Sequence, residues 1–366
     1  MPSLRIGLIG PDRTQPCGIA DYTSRLAAAL AGKCDLAFVP FRDALADSRL
    51  AGCSGILVQY ERSLMPPPTR EGDFLAALSA RHPDRVFVVP HEVYDQDPFA
   101  FPYAGLRSRF PPLLWLKRLR YLRLHRDYAA EKRLQARGYG AHRVIPLSGP
   151  GAEILRGLAG DKVLDPVPHA FYAPPESGEA QGGTPGRDAF FPVPPKALLG
   201  IFGFLNPGLD YGAALDLLAG LDPGVCLLIL GGLRGEKAGE VGLDREVAAR
   251  GVQARVRVTG YLPEAGLAAH LRLCDVFLCP MRFKSNSGSL LHLLHLGRPI
   301  IVSDLPLTRY LKDQGAPLQL YAGPGEMRMQ VEAALSGAAP AQANRYPWDF
   351  DAVAEAYLRI LGAQRS

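Results

Sequence analysis

The chain has 366 residues, of which 48% are hydrophobic and 21% are charged, which suits a globular protein of two domains rather than a disordered one. Its net charge of +5 is compatible with an anionic ligand, but no basic stripe with interleaved aromatics is present, so nucleic acid binding is not expected. The six cysteines form no CxxC pair and the histidines are scattered, so we expect reduced thiols, no metal site and no cofactor.

Short apolar runs alternate with longer amphipathic stretches, a pattern typical of parallel βαβ units. The opening run predicts a strand rather than a signal peptide, and no run approaches the roughly 20 apolar residues that cross a bilayer, so we expect a cytoplasmic protein. Helices fit between the strands, for example in DYTSRLAAALAG. The predicted strands of the first half are LRIGLIG, CDLAFVP, GILVQYE, RVFVVPH and HRVIPLS.

Residues 165–196 are rich in proline, glycine and serine and predict an irregular connection between two domains, 1–164 and 197–345. Residues 346–366 predict an amphipathic helix that returns toward the first domain. The fold class is therefore α/β, with two Rossmann-like, doubly wound parallel sheets that face each other across a cleft and bind ligands at the carboxyl ends of their strands. The predicted strands of the second half are ALLGIFGFL, VCLLILGGL, RVRVTGYLP, VFLCPM and PIIVSD.

Four residues of the first domain are candidates for ligand contact. Gly18 stands at the mouth of a helix, where backbone N–H groups can approach an anion, although an ordinary turn glycine explains it equally well. His91 follows a strand and can hydrogen-bond a sugar hydroxyl or transfer a proton; a structural histidine is the alternative. Glu61, which closes GILVQYE, and Glu92 can accept hydrogen bonds from an acceptor, while a capping or ion-pair role is as plausible for Glu61.

The segment PMRFKSNSGSLLHLLHLGRP holds the densest candidate site of the second domain. Cations follow a strand, and hydroxyls and free backbone N–H groups open a helix, so these three features together predict a diphosphate site at the helix N-terminus. A serine cap beside a surface arginine is the alternative. His292, one turn along, can reach a ribose hydroxyl or be a core residue. The residues of this site are Arg282, Lys284, Ser287, Gly288, Ser289 and His292.

A basic segment after Trp115, with cations at near-helical spacing over residues 117–126, is either a solvated helix face or a surface for anionic lipid or an anionic acceptor. The second interpretation predicts peripheral contact with the inner face of a membrane.

These residues resemble the retaining GT-B glycosyltransferases of family 4, in particular the mannosyltransferase-like subset, over nearly the whole chain. The first loop and helix, the histidine strand and the closing helix follow the family's order and approximate spacing. The motifs that carry the resemblance are CGIADYTSRLAAAL, VQYERSLMPP, VVPHEV, ALLGIFGFLNPG, VRVTGYLP, CDVFLCP, GRPIIVSD and RYPWDFDAVAEAYLRIL.

The sequence departs from that family at its charged positions. The usual pair of glutamates falls on Lys284 and His292, and Phe204 stands where an arginine is usual. Arg282, followed by Ser-Gly-Ser, resembles a variant of the family that lacks the glutamates. The resemblance implies that this arginine and the turn after it stabilise the leaving diphosphate, that Gly18 closes over it from the first domain, and that the backbone near Tyr261 faces the nucleobase.

The resemblance implies a metal-independent enzyme that moves a sugar, mannose-like in that subset, from a nucleotide-diphosphate sugar to a carbohydrate or glycoconjugate acceptor with retention of configuration. His91 would then hold a hydroxyl of the donor sugar. The departures favour a second hypothesis, a catalytically silent subunit that binds a nucleotide sugar or a partner. A sugar-phosphate or nucleotide isomerase on a related scaffold is a third, for which only Glu61 and Glu92 offer catalytic carboxylates.

Overall fold

A computed structural model describes residues 4–12, 17–61, 64, 73–93, 139–173, 186–205, 208–232, 242–282, 286–338 and 342–363. The chain divides into two compact units. The first comprises Met1–Ala170 with Phe350–Ser366, and the second is Phe171–Asp349. The predicted connection, residues 165–196, therefore contributes to both units, and so does the predicted C-terminal segment.

The first unit is built on a five-stranded sheet in which every neighbouring pair is parallel. The strand order is β2-β1-β3-β4-β5. Buried apolar side chains of the strands pack with helical residues into a hydrophobic core, and every residue of β3 is buried. The strands are β1 (Arg5–Gly10), β2 (Asp35–Pro40), β3 (Gly55–Tyr60), β4 (Val86–Pro90) and β5 (Arg143–Val144).

Side-chain caps start two helices of this unit. Asp73 accepts a hydrogen bond from the Ala76 N–H at 2.9 Å, and Ser148 accepts one from the Gly151 N–H at 3.1 Å. The strand predicted in HRVIPLS is wrong beyond β5, because Pro146 has no N–H to give to the ladder. The first three helices are α1 (Gly18–Leu30), α2 (Phe74–Arg81) and α3 (Gly149–Ala159).

The second unit contains a six-stranded sheet whose neighbours are again all parallel. Its order is β11-β10-β9-β6-β7-β8, so the chain runs outward from β6 in one direction and then resumes on the other side at β9. The strands are β6 (Ala197–Phe202), β7 (Val225–Leu230), β8 (Val256–Val258), β9 (Val276–Cys279), β10 (Ile300–Ser303) and β11 (Leu318–Tyr321). The helices are α4 (Tyr211–Gly220), α5 (Leu243–Ala249), α6 (Glu264–Arg272), α7 (Gly288–Leu293), α8 (Pro306–Asp313) and α9 (Pro324–Leu335).

The last helix, α10 (Phe350–Gly362), packs on α1 of the first unit. Lys33, just beyond α1, pairs with Asp351 at 3.2 Å and with Glu355 at 3.3 Å. The two parallel sheets confirm the α/β fold class. None of the helices in the described ranges is both long enough and apolar enough to cross a membrane.

Candidate functional site

The second sheet has its topological switch point between β6 and β9, which lie side by side while their following segments run in opposite directions. Open α/β sheets bind ligands outside the carboxyl ends of the strands at such a point. A pocket lies there, and the residues after β6 and β9 contribute most of its wall. Its lining is Ile201, Phe202, Gly203, Phe204, Leu209, Leu278, Cys279, Met281, Ser287 and Ser289.

Glycines at the ends of β6 and β7 let the backbone pass close to itself beside this pocket. Gly203 and Gly231 have φ values of +131° and +150°, which only glycine adopts without strain. A Cβ atom on Gly231 would overlap the carbonyl oxygen of Gly203, and one on Gly203 would lie 3.1 Å from the Ser289 Oγ. Neither glycine was predicted as a site residue, although each directly follows a buried strand.

A short antiparallel bridge joins the two loops that border the switch point. Leu209 pairs with Met281, the Asp210 N–H donates to the Pro280 carbonyl at 2.6 Å, and the Arg282 N–H donates to the Gly208 carbonyl at 2.9 Å. The segment after β6 is therefore held against the segment after β9.

This bridge brings Arg282 beside Asp210. The Arg282 Nη2 atom lies 3.2 Å from the Asp210 Oδ1 atom, and the two side chains are 33% and 39% exposed. The same carboxylate oxygen accepts a hydrogen bond from the Ala213 N–H at 3.1 Å and so caps α4. The predicted cation of the site thus has a carboxylate partner that the sequence analysis did not identify. A guanidinium carries five N–H donors, more than this one contact uses.

The predicted serine turn borders the same pocket. The Ser287 Oγ atom accepts a hydrogen bond from the Leu290 N–H at 3.4 Å and lies 3.4 Å from the Ser289 Oγ atom. Gly288 begins α7, which has only six residues. A helix this short has few aligned peptide dipoles. The helix therefore contributes less positive potential at this end of the pocket than the sequence indicated.

Aromatic rings hold two further predicted residues. His292 stacks on Tyr172 with ring centroids 3.5 Å apart, and the Phe202 ring lies at 5.6 Å from it in an edge-on contact. Tyr261, which is 51% exposed, lies parallel to Phe204 with centroids 6.3 Å apart. Tyr172 was missed because it lies in the irregular segment predicted to connect the domains.

In the first unit the switch point lies between β1 and β3. Gly18 begins α1 after β1, and a Cβ atom there would meet nothing within 4 Å. The packing of the described residues therefore does not require glycine at this position. Glu61 directly follows β3 and is half-buried, whereas Glu92 is exposed.

His91 directly follows β4, as predicted, but its side chain is only 6% exposed. Its Nε2 atom lies 2.9 Å from the Oε1 atom of Gln59, a residue of β3 that is fully buried. Burial, reinforced by the neighbouring His169, holds the pKa of His91 well below its ordinary value, so the ring is neutral. His91 therefore lies at the carboxyl end of its strand, as predicted, with a buried and hydrogen-bonded side chain.

Other predicted features lie outside the described residues: Lys284 and the basic segment 117–126 with Trp115. Among the residues that are described, no group of three or more His, Cys, Asp or Glu side chains is arranged to hold a metal ion.

The fold and the switch-point pocket define a class of protein, the two-unit α/β proteins with a GT-B fold. Residues 213–336, within the second unit, match the family described as "Glycosyl transferases group 1". Together with the fold, this match supports a glycosyltransferase of the GT-B type. No curated protein sequence matches the chain.

Three solved structures illustrate the likeness in fold. HepE from Anabaena, in complex with UDP-glucose, has a TM-score of 0.63 at 13% identity, covering 98% of this chain and 100% of HepE. Sucrose-phosphate synthase from Thermosynechococcus elongatus has a TM-score of 0.61 at 13% identity, with 98% and 100% covered. WaaG, a glycosyltransferase involved in lipopolysaccharide biosynthesis, has a TM-score of 0.54 at 14% identity, with 97% and 95% covered.

Proposed function

We propose that this protein transfers a sugar from a nucleotide-diphosphate sugar to a hydroxyl of a carbohydrate or glycoconjugate acceptor, with retention of configuration. The observation that carries the proposal is the pocket at the switch point of the second sheet. Its wall includes Ser287, Ser289 and Met281, the residue before Arg282, all within a region that matches glycosyltransferases. The UDP-glucose bound to HepE supports a nucleotide sugar as the donor. The resemblance of the sequence to family 4 supports retention and a mannose-like sugar.

In this proposal the bond between the sugar and the diphosphate breaks while the acceptor oxygen bonds to the same carbon. The acceptor hydroxyl loses its proton to the leaving diphosphate, whose growing charge needs stabilisation. Arg282 and the hydroxyls of Ser287 and Ser289 supply it, with Lys284 further out in the loop, so this role does not call for a metal ion.

The remaining roles divide by chemistry. His292, held by Tyr172 and Phe202, contacts the ribose, and the backbone near Tyr261 faces the nucleobase. Gly18 allows close approach to the ligand, and Glu61 and Glu92 accept hydrogen bonds from the acceptor. His91 contacts a hydroxyl of the donor sugar.

The protein acts in the cytoplasm, and the basic segment 117–126 contacts anionic lipid. Flotation with anionic vesicles at low salt tests this interaction.

The proposal is tested directly by incubating the purified protein with a panel of nucleotide sugars. Nucleotide binding and the slow release of free sugar are then measured. We expect binding and hydrolysis with one donor class. His91→Ala should retain nucleotide affinity and lose most turnover, because the side chain would touch the sugar and not the nucleotide. Wild-type turnover in that variant would remove His91 from the mechanism.

Two features favour the silent-subunit hypothesis. Arg282 is paired with Asp210. Phe204 stands where the family that the sequence resembles usually has an arginine. Nucleotide-sugar binding without any hydrolysis or transfer, over the full donor panel and with added acceptors, would support this alternative. Binding of no nucleotide at all would remove both hypotheses.

A further inference from the structure

Gln59 is a polar side chain in an otherwise apolar strand. Every residue of β3 is buried, and Gln59 has no exposed surface. Its Oε1 atom lies 2.9 Å from the His91 Nε2 atom, and the His91 N–H donates to the Tyr60 carbonyl at 2.9 Å. The Gln59 Nε2 atom has no hydrogen-bond partner within the described part of the chain. A buried N–H donor without a partner destabilises the fold, so a purely structural account of Gln59 is incomplete.

The orientation of the Gln59 amide determines which ring nitrogen of His91 carries the proton. An amide oxygen only accepts hydrogen bonds, so with the Gln59 Oε1 atom toward the ring the His91 Nε2 atom donates and bears the hydrogen. In a neutral imidazole the other ring nitrogen, Nδ1, then carries a lone pair and no hydrogen. It can accept a hydrogen bond from a hydroxyl, but it repels a phosphate or carboxylate oxygen.

The surroundings of the ring keep it neutral. Tyr22 on α1 makes an edge contact with the ring at 5.1 Å, and His169 lies at 6.1 Å. Burial lowers the pKa of His169 to about 4, and burial together with Tyr357 raises the pKa of Tyr22. These groups carry no charge near neutral pH, and Glu92, next to His91 in the chain, is exposed.

We propose that Gln59 is a positioning residue, which holds His91 as the Nε2–H tautomer so that Nδ1 accepts a hydrogen bond from a hydroxyl of the bound sugar. The inference rests on the proposed function, because it presumes that His91 contacts the sugar. It deepens that function by specifying the group recognised, a neutral hydroxyl that donates its hydrogen, and not an anionic substituent.

The tautomer can be measured without any substrate. In a long-range ¹H–¹⁵N correlation spectrum of protein labelled in its histidines, with His91→Ala to assign the signal, we expect protonated Nε2 and unprotonated Nδ1 between pH 6 and 8. In Gln59→Leu this preference should weaken or reverse. A wild-type His91 protonated at Nδ1 would overturn the proposal, and it would do so whether or not a donor is ever found.

The second readout is the rate at which the protein hydrolyses or transfers the sugar of a nucleotide sugar that it accepts. Gln59→Leu should lower kcat/KM about 5- to 10-fold, the effect of about 1 kcal/mol, with little change in nucleotide affinity. In Gln59→Glu the carboxylate should raise the pKa of His91 by stabilising the imidazolium. Activity should then fall as the pH decreases from 8 to 5.5, because protonated Nδ1 cannot accept a hydrogen bond, whereas wild type should show no such loss from His91.

Matching pH profiles in wild type and a folded Gln59→Glu variant would overturn the proposal, as would an unchanged kcat/KM in Gln59→Leu. Thermal melting and nucleotide affinity serve as controls for folding. Absence of turnover with every donor would contradict the proposed function, and the spectrum would then decide the tautomer alone.

Discussion

Replacing Arg282 tests the proposal that this residue binds the diphosphate of a nucleotide sugar. Its guanidinium lies 3.2 Å from the Asp210 carboxylate, and Met281, the residue before it, lines the switch-point pocket. A bound diphosphate must therefore compete with Asp210 or use the N–H donors that Asp210 leaves free. We expect Arg282→Ala to weaken nucleotide binding, and Arg282→Lys to weaken it nearly as much, because a lysine cannot give two parallel hydrogen bonds.

The magnitude follows from two opposing contributions. A charge-assisted hydrogen bond contributes about 1.5–3 kcal/mol. In the unbound protein Arg282 pairs with Asp210, and a pair whose side chains are 33% and 39% exposed contributes about 0–1 kcal/mol. A diphosphate that displaces Asp210 loses this contribution, so it is subtracted from the first. The net loss in Arg282→Ala is therefore centred near about 2 kcal/mol, or roughly 30-fold in affinity.

Asp210→Asn is the matched control. Asparagine caps a helix as well as aspartate does, so α4 should be retained while the negative charge is removed. Nucleotide affinity should stay the same or rise by up to about 5-fold, the effect of about 1 kcal/mol. Asp210→Ala should also lose the cap, at about 0.5–2 kcal/mol of unfolding free energy.

Titration calorimetry of these variants with the nucleoside diphosphate that binds wild type gives the affinities, and urea unfolding gives the stabilities. Unchanged affinity in Arg282→Ala would refute the assignment of this residue to the diphosphate. Equal losses in Arg282→Ala and Asp210→Asn would show instead that the ion pair matters as a unit.

Three further substitutions or conditions separate folding from ligand binding. Gly18→Ala should leave the melting temperature unchanged or higher, since a Cβ atom there meets nothing within 4 Å and alanine favours a helix by up to about 1 kcal/mol. Lower turnover with intact folding would indicate close ligand approach, and unchanged turnover would remove Gly18 from the site. Gly231→Ala should cost about 2 kcal/mol or more of unfolding free energy, because its φ is +150° and the new Cβ atom overlaps Gly203; wild-type urea unfolding would contradict this. Acidification should destabilise the first unit, because His169 takes up a proton at its ordinary pKa of about 6.5 in the unfolded chain but only at about 4 in the folded chain. The free energy of unfolding, measured with urea, should therefore fall by up to about 2 kcal/mol between pH 7 and pH 5. His169→Gln should reduce that loss.

The strands were predictable because burial on both faces leaves an unmistakable apolar run. GILVQY and VCLLIL are buried at every position, and both appear as strands with nearly the predicted bounds. β11 was missed because its sequence, LQLY, is short and its two central residues are only half-buried. The predicted helix after the serine turn is shorter than its leucines suggested; α7 ends at Leu293, and Gly297 then adopts a φ of +62°.

The candidate site was predictable in its parts but not in its pairings. A strand followed by a cation and a serine turn is a local pattern, so Arg282 and Ser287 could be nominated from the sequence. The stacking of His292 on Tyr172 and the contact of His91 with Gln59 depend on which elements become neighbours in the sheet and around it. No local spacing specifies those neighbours.

Asp210 shows why this matters for chemistry. From the sequence it is only an acceptable helix cap, three residues before the Ala213 N–H that it accepts from. Because Leu209 bridges to Met281, the cap of α4 also becomes the partner of Arg282, and one carboxylate oxygen contacts both groups. The charge that a diphosphate would meet is therefore set jointly by a cation after β9 and a cap after β6. A description of the site that includes Arg282 without Asp210 overstates its positive charge.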